Sequence, residues 1–252
     1  MPVYLLDEKL VFPAPSLARK DGLLAVGGDL SVKRLLLAYS AGIFPWYTDS
    51  DPILWWSPDP RLVLKPHAFH LPRRMRRACR CSGWRITLDR SFAQVISACG
   101  GIRDASGEGT WITTEMTAAY CRLHALGYAH SVEVWDDGTL IGGLYGVSVG
   151  RGFFGESMFS RRPNASKTAL VALVRFLSAH RFHFIDCQVT TGHLMQFGAR
   201  EVPRKVFLKE LNTACAAPGL KGRWEWTVSA ASLVSGIKGS GEGPNPNCAY
   251  TV

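Results

Sequence analysis

The sequence predicts a mixed α/β protein: a small N-terminal module at residues 1–62, a larger domain at 63–226 and a mobile C-terminal tail at 227–252. Three observations carry this expectation. A chain of 252 residues, 47% hydrophobic and 19% charged, is long and apolar enough for one large core or two modest ones. Prolines at 2, 13, 15, 45, 52, 58 and 60 crowd the first segment and leave room there for one clear helix. After "WWSPDPR" the pattern becomes regular, with helical and strand-like stretches following one another.

The elements follow in chain order. Ser31 stands where an N-cap belongs, ahead of a helix over residues 32–40. Helices are predicted near 72–80, 91–99 and 114–126; the last begins in "WITTEM", where Thr113 or Thr114 can cap it. Strands are predicted at 131–136, 139–149 and 152–159, with "DDG" at 136–138 as the hairpin turn. Ala169, Leu170, Leu173, Val174 and Leu177 form one apolar stripe, which gives a helix over 165–180. "FHFIDCQ" at 182–188 alternates as a strand, and short helices follow near 192–197 and 205–215. The end of the chain is rich in Gly, Ser, Pro and Asn, the basis for expecting mobility.

Several function classes are disfavoured. There is no run of about 18 apolar residues, so no membrane span is expected. "MPVYLLDEKLVFPAPS" has acids where a secretion signal needs a basic start and an apolar core, so a cytoplasmic location is expected. Seven scattered cysteines fit reduced thiols better than a disulfide framework. "CRC" has no second pair at zinc spacing and the histidines form no H-x-x-x-H cluster, so no metal is expected. "GRGFFG" at 150–155 is followed by strand-like residues rather than a helix, which disfavours a dinucleotide site; its glycines read as turn or bulge positions.

Charge gives the first positive indication. Lys and Arg exceed Asp and Glu by 29 − 20 = 9, and Arg73, Arg74, Arg76, Arg77 and Arg80 crowd one helix. They form either a solvated basic face or a phosphate footprint. Tryptophans at 46, 55, 56 and 111 are either core anchors or stacking platforms for unpaired bases. Glu156 in "GFFGESMF" and Asp186 in "FIDCQ" sit in apolar strands, where an unpaired carboxylate costs several kcal/mol. They are satisfied by internal bonds, or they share a polar pocket. On a regular strand, Asp186 and Gln188 point to one face.

Together the stretches "DGLLAVGGDLS", "GIFPWY", "DPILWWSPDPR", "GTWIT", "AYCRLHALGYAHSVEVW", "GGLYGVSVG", "FFGESMFS", "NASKTAL", "IDCQV" and "FGAREVPR" resemble the leucyl/phenylalanyl-tRNA protein transferase family over residues 11 to 210. The resemblance implies a small N-terminal domain on an N-acetyltransferase-like (GNAT-like) acyltransferase domain. It implies movement of Leu, Phe or sometimes Met from aminoacyl-tRNA to proteins beginning with Arg or Lys, which creates an N-degron. It places the 3′-adenosine between Trp46 and Trp111, with Tyr120 nearby. An acceptor with a basic first residue and an α-amino group then calls for negative charge, which Asp186 and Glu156 can supply. Gln188, which cannot be a base, is expected to orient the amine or the ester carbonyl as the third member of the catalytic set. Leu144, Phe153, Met158, Leu170 and Ile185 are the candidates for the pocket of the Leu or Phe side chain, with Leu144 standing where Met is expected.

An aminoacyl ester is already activated, so no cofactor is expected, and the protein is expected to act as a monomer. "SRRPNASK" lacks the glycines that would hold a CoA pyrophosphate; Arg161, Arg162 and Lys167 could meet tRNA phosphates instead, aided by the helix N-terminus behind Asn164. A CoA-dependent N-acyltransferase and a non-catalytic RNA-binding protein remain the alternatives from the residues alone. The second leaves Glu156, Asp186 and Gln188 unexplained.

Overall fold

The computed structural model describes residues 3–105 and 111–235. The N-terminal part contributes β1 (Tyr4–Leu6), β2 (Leu23–Gly27), α1 (Val32–Ser40), β3 (Phe44–Pro45) and β4 (Leu54–Trp56), whose strands form a sheet in the order β1-β2-β4-β3. The Ser31 hydroxyl accepts from the Arg34 N–H and caps α1 as expected. The larger part contains β5 (Arg61–Leu64), α2 (Arg73–Cys81), β6 (Arg85–Leu88), α3 (Phe92–Ala105), α4 (Thr114–Ala125), β7 (Ala129–Asp136), β8 (Thr139–Val149) and β9 (Gly152–Ser160). It continues through α5 (Ala165–Ala179), β10 (Phe184–Gln188), α6 (Gly192–Met195), β11 (Arg200–Val202), α7 (Arg204–Ala216) and β12 (Thr227–Ser229).

Eight of these strands form one sheet, in the order β11-β5-β10-β9-β8-β7-β6-β12. The β7–β8 hairpin turns at Asp137 and Gly138, both with positive φ (46° and 79°), as a tight turn of matching twist requires. One face of the sheet packs on α1, α3, α4 and α7 through residues such as Tyr39, Val95, Tyr120, Phe154 and Phe207. The other packs on α2 and α5 through Met75, Cys79, Phe153, Leu170 and Ile185. Phe153 and Phe154 therefore serve opposite layers, as strand alternation dictates.

The helices and strands expected from residue 72 onward are present, with α3 running further than its predicted end. The strands that pattern reasoning misses, including β1, β2, β4 to β6, β11 and β12, have three to five residues, too few to show a period. β5, which straddles the boundary expected between residues 62 and 63, has all four residues buried beside β10.

The mobile tail expected from residue 227 needs correction over 227–235. Thr227–Ser229 pairs with β6, and Ala230, Leu233 and Val234 are buried in the α2 and α5 layer. Trp224 stacks on His130 at 3.6 Å, and its backbone N–H donates to the Asp89 carboxylate at 2.7 Å. A few apolar side chains with a face to cover outweigh a composition rich in Gly and Ser. The rest of the expected tail, 236–252, lies outside the described residues. Among the described residues no helix is long and apolar enough to cross a membrane.

Candidate active site

β9 and β10 run parallel but pair only where Phe184, Ile185 and Asp186 meet Gly152, Phe153 and Phe154. Two irregularities then part them. Tyr145 of β8 faces Ser157 and Gly146 faces Gly155, so Glu156 is the extra residue of a β-bulge. On β10 the ladder with β5 slips between Asp186 and Gln188, and Gln188 takes a φ of 62°, unusual for a residue with a side chain.

The wedge between the strands holds a pocket of ≈ 380 Å³. Its apolar floor includes Leu144, Phe153, Met158, Leu170 and Ile185, so all five residues expected around an amino-acid side chain come together. Leu173 of α5 joins them. Trp46 and Trp111 also line the pocket; both are partly exposed, and Trp46 is set by a bond from the Trp56 indole N–H to its carbonyl at 2.7 Å.

The polar wall is built around Glu156. Its Oε1 accepts from the Tyr39 hydroxyl at 2.8 Å and from the Gln188 Nε2 at 2.9 Å, and its Oε2 accepts from the Tyr120 hydroxyl at 3.0 Å. The two tyrosine hydroxyls also touch each other. Burial pushes the Glu156 carboxyl up to about 7; the three donors oppose that rise and the nearby Asp186 adds to it. Burial, then the Glu156 charge, raises both tyrosines well above the usual phenol range. They act here as donors, not as bases.

Asp186 departs from expectation. It is fully buried and does not line the pocket. Its oxygens take a two-pronged bond from the equally buried Arg61, Nε to Oδ1 at 2.8 Å and Nη2 to Oδ2 at 2.6 Å. The guanidinium lies over the rings of Phe44 (4.8 Å) and Phe207 (4.7 Å). Asp186 Oδ1 also accepts the Gln188 backbone N–H at 2.9 Å. Strand alternation thus fails here: the slip at Cys187 leaves Asp186 buried against Arg61 while the Gln188 side chain reaches the pocket. The thiol of Cys187, which lines the pocket, is driven far up by burial and is no nucleophile at neutral pH.

Tyr120, expected beside a nucleobase, is fully buried behind Glu156 and offers no stacking face. The basic residues are also not one patch. Arg73, Arg74, Arg77 and Arg80 are exposed on α2, whereas Arg76 is half-buried. α2 meets α5 where Cys79 Sγ lies 3.8 Å from Thr168 Oγ1. Lys167 is close enough to His193 of the pocket lining to help burial depress that histidine. Arg161 turns to the opposite layer, over Phe159, and Arg162 is paired with Asp136. The Asn164 side chain does not cap α5, and its φ is 71°.

Sequence reasoning missed Tyr39, Arg61, Ser157 and His193. Arg61 had a signal, as a cation in the otherwise apolar run "RLVL". So did Ser157: "ES" puts two polar residues where alternation allows one.

A family model described as leucyl/phenylalanyl-tRNA protein transferase matches residues 63–212, and a model of that family's N-terminal domain matches residues 28–59. The chain belongs to the leucyl/phenylalanyl-tRNA protein transferase family. Transferases of that name are similar to it across most of both lengths. One from Desulfatibacillum aliphaticivorans is 60% identical over 224 residues, covering 89% of this chain and 96% of its own. One from Desulforapulum autotrophicum is 52% identical, covering 90% and 99%. One from an Anaeromyxobacter species (strain Fw109-5) is 55% identical, covering 89% and 96%. Tyr39 and Trp46 fall in the stretch matched by the N-terminal model, while the strands that open the pocket fall in the other. Among the described residues no cluster of three or more His, Cys, Asp or Glu could hold a metal ion.

Proposed function

We propose that this protein transfers Leu, Phe or sometimes Met from aminoacyl-tRNA to the α-amino group of proteins that begin with Arg or Lys. The observation that carries the proposal is one pocket with two tryptophans, an apolar floor of amino-acid size and a Glu156–Gln188 wall. Trp46 and Trp111 suit the terminal adenosine, whose base can stack on aromatic faces for about 1–3 kcal/mol. The floor suits an apolar side chain. The exposed arginines of α2 suit the tRNA backbone, as a positive face does for any polyanion.

The chemistry follows from the wall. Gln188 commits its N–H to Glu156, which leaves its Oε1 to accept from an amine. A carboxyl near 7 sits close to the pKa of a free α-amino group, about 7.7–8, so Glu156 can hold an α-ammonium and take its proton. A basic first residue on the acceptor adds attraction to the same charge. Asp186 becomes a positioning residue in this reading: pinned by Arg61, it holds the backbone of Gln188 in its unusual conformation. The ester carries its own activation, so positioning supplies most of the catalysis. The reading includes action in the cytoplasm as a monomer.

The test is incubation with radiolabelled Leu-tRNA or Phe-tRNA and a peptide beginning with Arg. Label should enter the peptide and stop doing so after ribonuclease treatment. Transfer from acetyl-CoA instead, or tRNA binding without transfer, would overturn the proposal.

A further inference from the structure

Ser157 is buried and lines the pocket, and its Oγ, itself shielded from solvent, has no hydrogen-bond partner among the described residues. The bulge explains how it comes to face there. Phe154 belongs to the α4 layer, and Met158 packs against the α5 layer, so the extra residue turns Glu156 and Ser157 to the same side. A buried hydroxyl left unbonded costs about 1–3 kcal/mol, and such groups call for an explanation. Its neighbours are occupied: Tyr39, Tyr120 and Gln188 donate to Glu156, and Arg61 donates to Asp186. Ser157 is thus an uncommitted donor next to Glu156 on the same side of β9, in a pocket where a bound ligand can bring the acceptor.

We propose that the Ser157 hydroxyl donates to the ester carbonyl oxygen of the bound aminoacyl group and stabilises the charge that develops there. The inference rests on the pocket being the aminoacyl site. In the step itself, the acceptor's amine nitrogen forms a bond to the carbonyl carbon and the C=O pair moves onto oxygen, where Ser157 meets it. Collapse re-forms the carbonyl and breaks the bond to the ribose oxygen. That oxygen leaves with the proton given up by the amine, which Glu156 can carry between them. Ammonium groups do not compete for this donor, because they have no lone pair to offer.

The test compares wild type, Ser157→Ala and Ser157→Cys in single-turnover transfer from Phe-tRNA to a peptide beginning with Arg. Ser157→Ala should lower the rate constant about 10²-fold, as expected for one lost oxyanion donor, with the dissociation constant for Phe-tRNA unchanged. Its melting temperature should not fall, because the hydroxyl bonds nothing in the free protein. Ser157→Cys, nearly the same size but a weak donor, should group with Ala. A wild-type rate in either variant, or a loss confined to donor affinity, would overturn the role of Ser157. Absence of transfer by the wild type would instead refute the reading of the pocket.

Discussion

Replacing Arg61 by Met keeps the aliphatic stem and removes the guanidinium, which isolates the Asp186 carboxylate in an interior where neither residue has exposed surface. Breaking a buried, two-pronged ion pair from one side costs about 3–5 kcal/mol, because the remaining charge keeps its desolvation penalty and loses its partner. For a protein of this size that corresponds to a fall in melting temperature of roughly 6–20 °C. Asp186→Asn should destabilise for the mirror reason, by leaving the guanidinium unpaired, even though Asn preserves the side chain's shape. Arg61→Met combined with Asp186→Asn should be less destabilised than the sum of the single changes by about 1–3 kcal/mol. Urea unfolding of the four proteins measures the cycle. Transfer should fall in both single variants, since the acceptor of the Gln188 backbone N–H is disturbed. Additive effects, or a cost below about 1 kcal/mol for Arg61→Met, would refute the pair as the element that holds β10 in place.

Trp111→Ala should weaken a minimal aminoacyl-adenosine donor and full aminoacyl-tRNA alike, by about 1–3 kcal/mol; unchanged affinity for the minimal donor in a folded variant would return Trp111 to the core. Arg74→Ala with Arg77→Ala should weaken full tRNA alone and reduce the slope of log affinity against log salt by about 0.9 for each phosphate no longer neutralised; equal weakening with the minimal donor would contradict an electrostatic role. Glu156 is protonated in the folded protein up to about pH 7, whereas in the unfolded chain it ionises near 4.3. The folded state therefore binds the extra proton between these values, and stability falls as pH rises from about 4.5 to 7. Burial raises Glu133 as well, so Glu156→Gln should reduce that decline rather than abolish it, as urea unfolding at pH 5 and pH 7.5 can establish; an unchanged slope would mean that Glu156 is not a group responsible.

Periodic elements were legible because burial imposes a pattern on them. The α5 stripe and the long strands β8 and β9 repeat often enough for their faces to be read. The five floor residues came together for the same reason, once family resemblance had pointed to them. The polar wall was harder to read. Alternation put Asp186 beside Gln188, but a slip of one residue on β10 separates their side chains, and no local pattern in "IDCQV" announces it. Arg61 and Tyr39 lie 125 and 117 positions from the carboxylates they meet, so only the folded chain reveals the partnership. Leu233 and Val234 illustrate a further limit: in a Gly- and Ser-rich setting, two apolar residues gave little local signal, yet both are buried.

Filling the pocket without disturbing its frame tests the proposed amino-acid site at its centre. A Cβ added at Gly155 would meet only the Asp186 carbonyl oxygen at 3.6 Å and an Ile185 methyl at 3.9 Å, ordinary contacts, and Gly155 itself lines the pocket. Gly155→Leu should therefore fold and place its side chain where the Leu or Phe of the donor is proposed to sit. Measured with Phe-tRNA and a peptide beginning with Arg, wild type should transfer the label and Gly155→Leu should not, while both bind uncharged tRNA with the same affinity. Transfer at the wild-type rate by a folded Gly155→Leu protein would contradict the proposed site, because the amino acid would then be bound elsewhere.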